Sequence, residues 1–381
     1  MKGVLRAARA GCDDTDVART ARTVAVVSHA CVLPANQRVY AELASRGVDV
    51  HLVVPRRWSS EYAPEGFDAG VDPELGGKVT FAGVLGRGRP QRHAYLAACG
   101  SILARIDPSV VFIEEEPFSV AALQWSRAAR RRGLPFGVQL AETLDRRLPA
   151  VVRRWCHDLL ARAAFVAARS PAAAALATTW GATGLVEVVP HGVDAADERP
   201  MPDGTFTVGF VGRLAPEKGI EDLLDAFQSL AIDARLVVAG DGPLRDRVRR
   251  AGERVQLLGA VPHASVGDVY AMADLTCVPS RTTGTWEEQF GRVLVESLAH
   301  GVPVLATSTG SIPWVVGTTG GGILVPERDP AALARAITER AADRVGTAAL
   351  GHDARPRALA SFSMPVVATR FDELLARVSS P

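Results

Sequence analysis

The sequence predicts an α/β protein built from two doubly wound domains that face each other across a cleft. Short apolar runs, each long enough only for a buried strand, alternate with stretches of helical periodicity. This alternation restarts near Thr205, after a polar segment bounded by prolines. The length of 381 residues favours two or three domains, and an apolar fraction of 48% is enough for a core in each.

The first half of the chain alternates strands with helices. The stretch from Gln37 to Arg46 is predicted as a helix that ends at Gly47. The runs predicted as strands are Val24–Ser28, Val48–Val54, Val110–Ile113, Pro135–Leu140, Phe165–Ala167 and Val186–Val189. Short apolar runs separated by helices indicate a parallel sheet that is covered by those helices.

The second half repeats this pattern. Its predicted strands are Thr205–Gly212, Ala234–Gly240, Val255–Val261, Leu275–Ser280 and Val302–Thr307. Five apolar residues then fall on one face of the helix after the first strand: Ile220, Leu223, Leu224, Phe227 and Leu230. The last predicted helix runs from Pro365 to Val378, and its apolar side is made of Val366, Val367, Phe371, Leu374 and Leu375.

We expect four segments along the chain. They are a flexible leader at 1–22, a Rossmann-like domain at 23–190, a second Rossmann-like domain at 191–360, and a helix at 361–381 that crosses back to the first domain. The joining segment, Pro190–Pro202, is polar, as expected of a hinge. Because ligands bind doubly wound sheets at the carboxyl ends of their strands, the chemistry is expected in the cleft.

The charge distribution excludes one class of partner and leaves another open. A net charge of +1 argues against a dedicated nucleic-acid binder. Residues 1–190 hold 24 Lys and Arg against 18 Asp and Glu. This surplus reflects either an arginine-rich composition or a basic face for an anionic partner or a membrane surface. Since the start lacks the apolar region of a signal peptide, we expect a cytoplasmic protein, with peripheral membrane association as the open alternative.

The sequence predicts no required metal and no cofactor. The five cysteines are scattered, odd in number and without a C-x-x-C pair, as in a reducing cytosol. His29, His93 and His191 show no ligand spacing along the chain. The acidic pattern Asp14–Asp16 falls in the predicted leader, where a metal site is not expected.

The first candidate site lies in GFVGRLAPEKGIEDLL, residues 209–224. A strand ends at Gly212, a loop carries Arg213, and Lys218 lies where a helix is predicted to begin. The N–H groups of a helix N-terminus and two cations suit a diphosphate, which they would stabilise as it departs. The alternative is two surface cations flanking an ordinary turn.

The second candidate site is the segment WEEQFGRVLVESLAHG, residues 286–301. Glu288 and Glu296 are eight residues apart, with Gly291 between them at a predicted helix start. If this helix borders the cleft, Glu296 can accept bonds from two ribose hydroxyls and Glu288 can hold hydroxyls of a sugar. The N–H groups of Phe290, Gly291 and Arg292 would then help to bind phosphate. The alternative for Glu296 is a solvated face with an ordinary charge pair.

Three adjacent acids, Glu114, Glu115 and Glu116, follow the predicted strand Val110–Ile113. One interpretation is a solvated loop before Pro117. The other places one of these acids in the cleft, where it would contact the hydroxyls or amines of an acceptor.

The C-terminal half resembles the family 4 retaining glycosyltransferases, which have the GT-B fold. The resemblance is carried, in order, by VVPHGVD, FVGRLAPEKG, VVAGDGPL, VQLLGAVP, EQFGRVLVE and GVPVLATSTGSIPWVV. In the N-terminal half, IEEEPFSVAALQ resembles a subgroup that acts on bacterial polysaccharides and specialised metabolites.

The resemblance implies a hexosyltransferase whose C-terminal domain binds a nucleotide sugar and whose N-terminal domain binds the acceptor. A UDP-sugar is the expected donor, with a GDP-sugar as the alternative, and the acceptor would be a polysaccharide, glycolipid or specialised metabolite. The implied contacts are diphosphate with Arg213 and Lys218, sugar with Glu288, ribose with Glu296, N–H donors at Phe290 and Gly291, and the base near Val261 and Pro262. Of these, Glu288, Arg213 and Lys218 are the expected catalytic residues.

The N-terminal half departs from the family pattern at two places. SHACVLPANQ has no glycine where many members are glycine-rich, and VQLAETLDRR has no histidine where many members carry one. Glu142, within the second stretch, is a further acceptor candidate. The alternatives to a transferase are a sugar-nucleotide epimerase, a phosphorylase or a non-catalytic partner protein of the same fold.

Overall fold

The computed structural model describes residues 22–60, 63–197, 202 and 204–379. Two parallel sheets, each covered by helices, confirm the predicted fold class. The predicted leader lies outside the described residues except for Arg22, whose guanidinium donates to Asp372 Oδ1 at 2.9 Å. The Asp14–Asp16 pattern also lies outside the described residues.

The strands of the described residues form two large sheets and two small hairpins. The first sheet has the order β11-β10-β9-β8-β1-β2-β5, and the second has the order β14-β13-β12-β15-β16-β17. The bounds are β1 (Thr23–Val27), β2 (Asp49–Pro55), β3 (Arg57–Ser60), β4 (Ala63–Asp68), β5 (Val79–Ala82), β6 (Val84–Leu85), β7 (Ala94–Tyr95), β8 (Val110–Ile113), β9 (Phe136–Leu140), β10 (Phe165–Ala168), β11 (Leu185–Val188), β12 (Phe206–Val211), β13 (Ala234–Ala239), β14 (Val255–Gly259), β15 (Leu275–Val278), β16 (Val304–Thr307) and β17 (Gly322–Val325).

The helices cover the faces of both sheets. Their bounds are α1 (Arg38–Ser45), α2 (Cys99–Ile106), α3 (Val120–Arg131), α4 (Ala150–Arg162), α5 (Pro171–Thr179), α6 (Ile220–Ser229), α7 (Arg245–Arg249), α8 (Val266–Met272), α9 (Arg292–Ala299), α10 (Ile312–Thr319), α11 (Pro330–Ala342), α12 (Arg344–Phe362) and α13 (Met364–Ser379). The predicted apolar face of α6 is buried in the core of the second domain. Its helix begins at Ile220 rather than Lys218, because Gly219 precedes it in a left-handed conformation.

The last helix, α13, belongs to the core of the first domain. Val367, Phe371, Leu374 and Leu375 are buried in one cluster with residues of β1, β2 and β8. Phe371 lies edge-on to Phe112 of β8, with 4.7 Å between ring centroids. The C-terminal helix therefore crosses back to the N-terminal sheet, as the sequence predicts.

The chain passes between the domains twice at the same place. The first passage follows β11 and the second joins α12 to α13. Val193 of the first passage donates its N–H to Phe362 O and accepts the Met364 N–H, both at 2.9 Å. Val193 and Ser363 thus form a parallel bridge between the two passages.

Each sheet reverses its strand order at one point that faces the cleft. In the first sheet the reversal lies between β1 and β8, and in the second it lies between β12 and β15. Loops on either side of such a reversal diverge and leave a crevice, which is the usual ligand site of doubly wound sheets. The predicted site residues follow these four strands or their neighbours.

Candidate functional site

Lys218 and Glu288 form an ion pair at the carboxyl edge of the second sheet. The distance from Lys218 Nζ to Glu288 Oε2 is 2.7 Å, and the Ser280 hydroxyl donates to the same oxygen at 3.0 Å. The Lys218 ammonium also lies 4.6 Å from the ring centroid of Trp286, a cation–π contact. The residues predicted to hold the diphosphate and the sugar therefore touch each other, and Glu288 is buried.

Two glycines hold this pair in place by allowing close backbone contacts. Gly219 has a φ of +68°, and a Cβ atom there would lie 1.8 Å from Pro279 O. Gly310 has a φ of +52°, and a Cβ atom there would lie 2.1 Å from Glu288 O. No side chain fits at either position without moving the backbone, so both loops depend on glycine.

We expect Gly310→Ala to lower the free energy of unfolding by about 1–3 kcal/mol, the usual cost of forcing atoms into a packed site. The displaced Glu288 should also weaken binding of a nucleotide sugar. Urea denaturation and calorimetry measure the two effects. Gly317→Ala is the matched control, because Gly317 lies within α10 with no atom near its Cβ position. Equal stability of the two variants would contradict the assigned role of Gly310.

A largely apolar cavity of 310 Å³ adjoins this edge, at the carboxyl ends of β12, β13 and β14. Gly212, Arg213 and Val261 are among its lining residues. Arg213 forms an ion pair with Glu217, which holds its guanidinium beside the turn that carries Lys218. Apolar walls with one cation at the edge suit a planar ring that carries an anionic group.

Helix α9 brings its N-terminus and Glu296 to the cleft. Gly291 is the residue before the helix and has a left-handed conformation. The N–H groups of Phe290, Gly291 and Arg292 have no hydrogen-bond acceptor within the described part of the chain. Glu296 pairs with Arg292 Nε at 2.7 Å, and Tyr270 donates to its other oxygen at 3.0 Å. Glu296 and Tyr270 line an interdomain cavity of 520 Å³.

The Arg292 side chain touches both domains. Its Nη1 donates to Asn36 Oδ1 at 3.3 Å across the cleft, and Nη2 lies 3.0 Å from His263 Nε2. Sequence reasoning assigned Arg292 only a backbone contact. Its guanidinium also occupies one oxygen of Glu296, the group predicted to bind ribose.

The interpretation of Glu114, Glu115 and Glu116 as a solvated loop is wrong. Glu114 and Glu115 are buried at the end of β8. Glu114 pairs with the buried Arg169, which follows β10, and both line a small cavity between the domains. The acids are buried because partners from other segments neutralise them, and spacing along the chain does not show such partners.

Glu116, which follows β8, and Glu142, which follows β9, form a second acidic pair in the first domain. The Ala141 N–H donates to Glu116 Oε1 at 3.0 Å, and Glu142 pairs with Arg146. Burial raises the pKa of Glu116 to about 8; the hydrogen bond from Ala141 opposes this shift, and the nearby Glu142 charge adds to it. Glu116 Oε2 is buried and has no hydrogen-bond partner in the described chain.

The structure also brings together His29, His93 and Glu115, which the sequence places far apart. His29 Nδ1 lies 2.6 Å from Glu115 Oε2, and His93 Nε2 lies 3.4 Å from Glu115 Oε1. Burial opposes ionisation of Glu115, but the two histidines outweigh it and lower the pKa of Glu115 to about 2. Since the three residues come from three segments, no spacing in the sequence indicates this cluster.

The donor-site candidates thus lie in the second domain, and the acidic candidates lie across the cleft in the first. Sequence reasoning missed Ser280, Trp286 and Tyr270, which contact Glu288, Lys218 and Glu296. Ser280 is the last residue of a predicted strand and could have been found by position. Tyr270 lies 26 residues before Glu296 and has no comparable signal.

Two family models match the chain, one in each domain. Residues 37–197 match the model described as Glycosyltransferase Family 4. Residues 205–343 match the model described as Glycosyl transferases group 1. Together they cover most of both sheets.

The chain is similar to two enzymes of known activity. It is 28% identical over 309 residues to 2-deoxystreptamine N-acetyl-D-glucosaminyltransferase of Streptomyces fradiae, covering 71% of each chain. It is 29% identical over 222 residues to a GDP-mannose-dependent alpha-(1-6)-phosphatidylinositol monomannoside mannosyltransferase of Mycobacterium tuberculosis. That match covers 52% of this chain and 58% of the mannosyltransferase.

Two solved structures share the fold over almost the whole chain. The Anabaena protein HepE in complex with UDP-glucose has a TM-score of 0.73 at 19% identity, covering 93% of this chain and 99% of its own. A sucrose-phosphate synthase of Thermosynechococcus elongatus has a TM-score of 0.72 at 19% identity, covering 94% and 99%. At this identity the likeness concerns the fold alone.

Proposed function

Because the chain belongs to glycosyltransferase family 4, we propose that it transfers a hexosyl group from a nucleotide sugar to an acceptor hydroxyl with retention of anomeric configuration. The observation that carries this proposal is the Lys218–Glu288 ion pair at the strand-order reversal of the second sheet. Arg213, which precedes the turn that carries Lys218, lines a cavity of a size and polarity that suit a nucleobase. As a GT-B glycosyltransferase, the chain takes its sugar from a nucleotide donor.

The proposed donor runs along the carboxyl edge of the second sheet. Its base occupies the cavity lined by Val261, and its ribose hydroxyls donate to Glu296. The free N–H groups at the start of α9 and the two cations, Arg213 and Lys218, receive the diphosphate. We expect UDP as the nucleotide, supported by a protein of the same fold that binds UDP-glucose; the mannosyltransferase relative supports GDP as the alternative.

The proposed reaction needs no protein nucleophile. The bond from C1 to the diphosphate oxygen breaks, and the acceptor oxygen attacks C1 from the same face. The acceptor proton passes to the departing phosphate oxygen, so the products are the glycoside and a nucleoside diphosphate. Arg213, Lys218 and the α9 N-terminus stabilise the leaving charge, while Glu288 orients the sugar through its hydroxyls.

The proposed acceptor is a hydroxylated ring compound of the cyclitol type. The names of the two relatives give 2-deoxystreptamine and a phosphatidylinositol mannoside, and both contain a cyclitol ring. Glu114, which follows β8 and lines the small cavity between the domains, supports a polar acceptor with hydroxyl or amine groups, because a carboxylate accepts hydrogen bonds from both. Polysaccharide acceptors remain the alternative.

We propose that the enzyme acts in the cytoplasm. No helix among the described residues is long and apolar enough to cross a membrane. If the acceptor is lipid-linked, the basic N-terminal half is the surface that would meet the membrane, since it carries the surplus of Lys and Arg.

The proposal is tested by incubating the pure protein with a panel of UDP- and GDP-sugars, with and without cyclitol acceptors. We expect slow hydrolysis of one donor alone and a glycoside product when an acceptor is added. An isomerised nucleotide sugar formed without acceptor would instead indicate an epimerase. No turnover of any donor, together with no binding of nucleoside diphosphates, would contradict the donor site itself.

We expect transfer to proceed without added magnesium or manganese, because Arg213 and Lys218 already supply positive charge at the proposed diphosphate site. The measurement is initial rate against metal concentration after treatment with excess chelator. Complete loss of activity that magnesium or manganese restores would contradict this prediction. Restoration by zinc alone would point away from the diphosphate and towards the histidine cluster described above.

A further inference from the structure

Three side chains with metal-ligating atoms converge in the first domain, outside the proposed donor site. His29 follows β1, His93 precedes β7 in the second hairpin, and Glu115 follows β8. Their ligating atoms all lie within 4.8 Å of one another. Since β1 and β8 flank the strand-order reversal of the first sheet, the cluster lies where that sheet is expected to bind a ligand.

The protonation of His93 is constrained by its backbone contact. His93 Nδ1 lies 2.8 Å from Pro90 O, and a carbonyl only accepts, so Nδ1 carries a hydrogen. In the neutral ring Nε2 then bears a lone pair. That atom is buried, has no hydrogen-bond partner in the described residues, and faces Glu115 Oε1 at 3.4 Å. At this distance either a proton or a metal ion lies between the two atoms.

This arrangement is typical of a metal-ligating histidine. Such a ring usually donates its second N–H to a backbone carbonyl, which fixes the ring and directs the other nitrogen at the metal. The Glu115 carboxylate is also held by a backbone contact, because the backbone N–H of His29 donates to Glu115 Oε1 at 2.8 Å. Trp58 closes one side of the cluster, with its ring centroid 5.1 Å from each imidazole centroid.

We propose that His29, His93 and Glu115 bind one divalent transition-metal ion of the zinc class, with one coordination position open. Two imidazoles and one carboxylate are a common zinc ligand set, and the fourth position in such sites takes water or a substrate group. The His29 side chain is 22% exposed, so the open position lies on its side of the cluster.

The ligand atoms, which lie within 4.8 Å of one another, must adjust to the spacing of a tetrahedral ion for a metal to enter. Ligand atoms about 2.0–2.2 Å from a tetrahedral zinc lie roughly 3.3–3.5 Å from one another. The separation of His93 Nε2 from Glu115 Oε1 already has this value. His29 Nδ1, now 2.6 Å from Glu115 Oε2, must withdraw by less than one ångström, and its partly exposed side chain can turn to do so.

The charges are also compatible with a metal. One carboxylate and a divalent ion leave a single net positive charge, the same charge that the cluster has when both rings are protonated. The ion would therefore replace two protons without changing the charge in the site. Magnesium is not expected to bind, because it prefers oxygen ligands and nearly ideal octahedral geometry.

Calorimetry on tag-free, chelator-treated full-length protein tests the proposal with Zn²⁺ alone as the probe. We expect one ion per chain and no heat with Mg²⁺. His93→Gln and His29→Gln should each weaken Zn²⁺ binding by at least about 100-fold. His157→Gln, which changes an exposed histidine outside the cluster, should bind like the wild type. His29→Gln keeps the test valid if the buried His93 variant fails to fold.

Cobalt substitution identifies the ligands. The Co²⁺ spectrum should show the d–d bands of a site with nitrogen and oxygen ligands, without the near-ultraviolet charge-transfer band of a thiolate. A thiolate band would show that a cysteine binds the ion and would overturn the proposal. Absence of Zn²⁺ binding, or equal binding by His157→Gln and both cluster variants, would overturn it as well, leaving a proton between His93 and Glu115 as the explanation.

Discussion

Replacing Lys218 with alanine is expected to lower the turnover number of sugar transfer by about 100- to 1000-fold, the usual loss when one preorganised charge is removed from a developing anion. Lys218 is the cation that touches Glu288, so its loss affects both the diphosphate and the residue beside the sugar. Arg213→Ala should lower the rate through the diphosphate alone. Steady-state kinetics at limiting donor concentration measure both effects.

Two ion-paired cations far from the proposed site serve as matched controls. Lys78 pairs with Asp49 at 2.5 Å, and Arg162 pairs with Asp158 four residues earlier, as Arg213 pairs with Glu217 four residues later. Lys78→Ala and Arg162→Ala should keep wild-type turnover. Lys218→Ala removes a cation and also leaves the buried Glu288 carboxylate without its partner. In the double variant Lys218→Ala/Glu288→Gln the carboxylate is gone as well, so any loss of turnover beyond that of Glu288→Gln alone is due to the missing cation. Wild-type turnover of Lys218→Ala would refute the proposed diphosphate site.

Glu296→Gln is expected to weaken binding of the free nucleoside diphosphate by about 10- to 150-fold, the range for losing charge-assisted hydrogen bonds of about 1.5–3 kcal/mol. The reason is that Glu296 is proposed to serve the ribose, which every ribonucleotide donor contains. Isothermal titration calorimetry with UDP and GDP measures this change directly, without any turnover.

Glu288→Gln should fail in a different way. Diphosphate affinity should stay unchanged or rise slightly, because Lys218 loses its carboxylate partner and becomes free for phosphate. Turnover should fall by about 100-fold, since a misoriented sugar is felt at the reacting centre. Glu42→Gln is the control for both variants, because Glu42, like Glu296, pairs with an arginine four residues away. If Glu288→Gln and Glu296→Gln both bind the diphosphate and turn over like this control, α9 does not border the donor.

Much of the fold follows from the sequence because the strands of both sheets are apolar on both faces. Every run predicted as a strand is found in the structure, with bounds that differ by no more than two residues. The two hairpins and the edge strands β5 and β17 were not predicted. The hairpin strands β6 and β7 have two residues each, too few for any period to show, and β17 begins at the last of three consecutive glycines.

The candidate donor site could be proposed from sequence because its residues lie in two continuous segments. Arg213 and Lys218 share one turn, and Glu288 and Glu296 flank one helix start. The first domain is different. Its acids are paired with Arg169 and with two histidines that come from other strands and from a hairpin. Those partners decide burial and charge there, and only the folded chain brings them together.

The paired crossings at Val193 and Ser363 have a mechanical consequence. A single linker would let one domain swivel about the chain axis as well as tilt. Two strands of backbone joined by hydrogen bonds at one point resist torsion, while they still bend about the line that runs through both. We therefore expect relative motion of the domains to be reduced towards one rotational degree of freedom. Such a rotation would widen or narrow the cleft along one arc and would return the loops after β12 and β1 to the same relative position on closure.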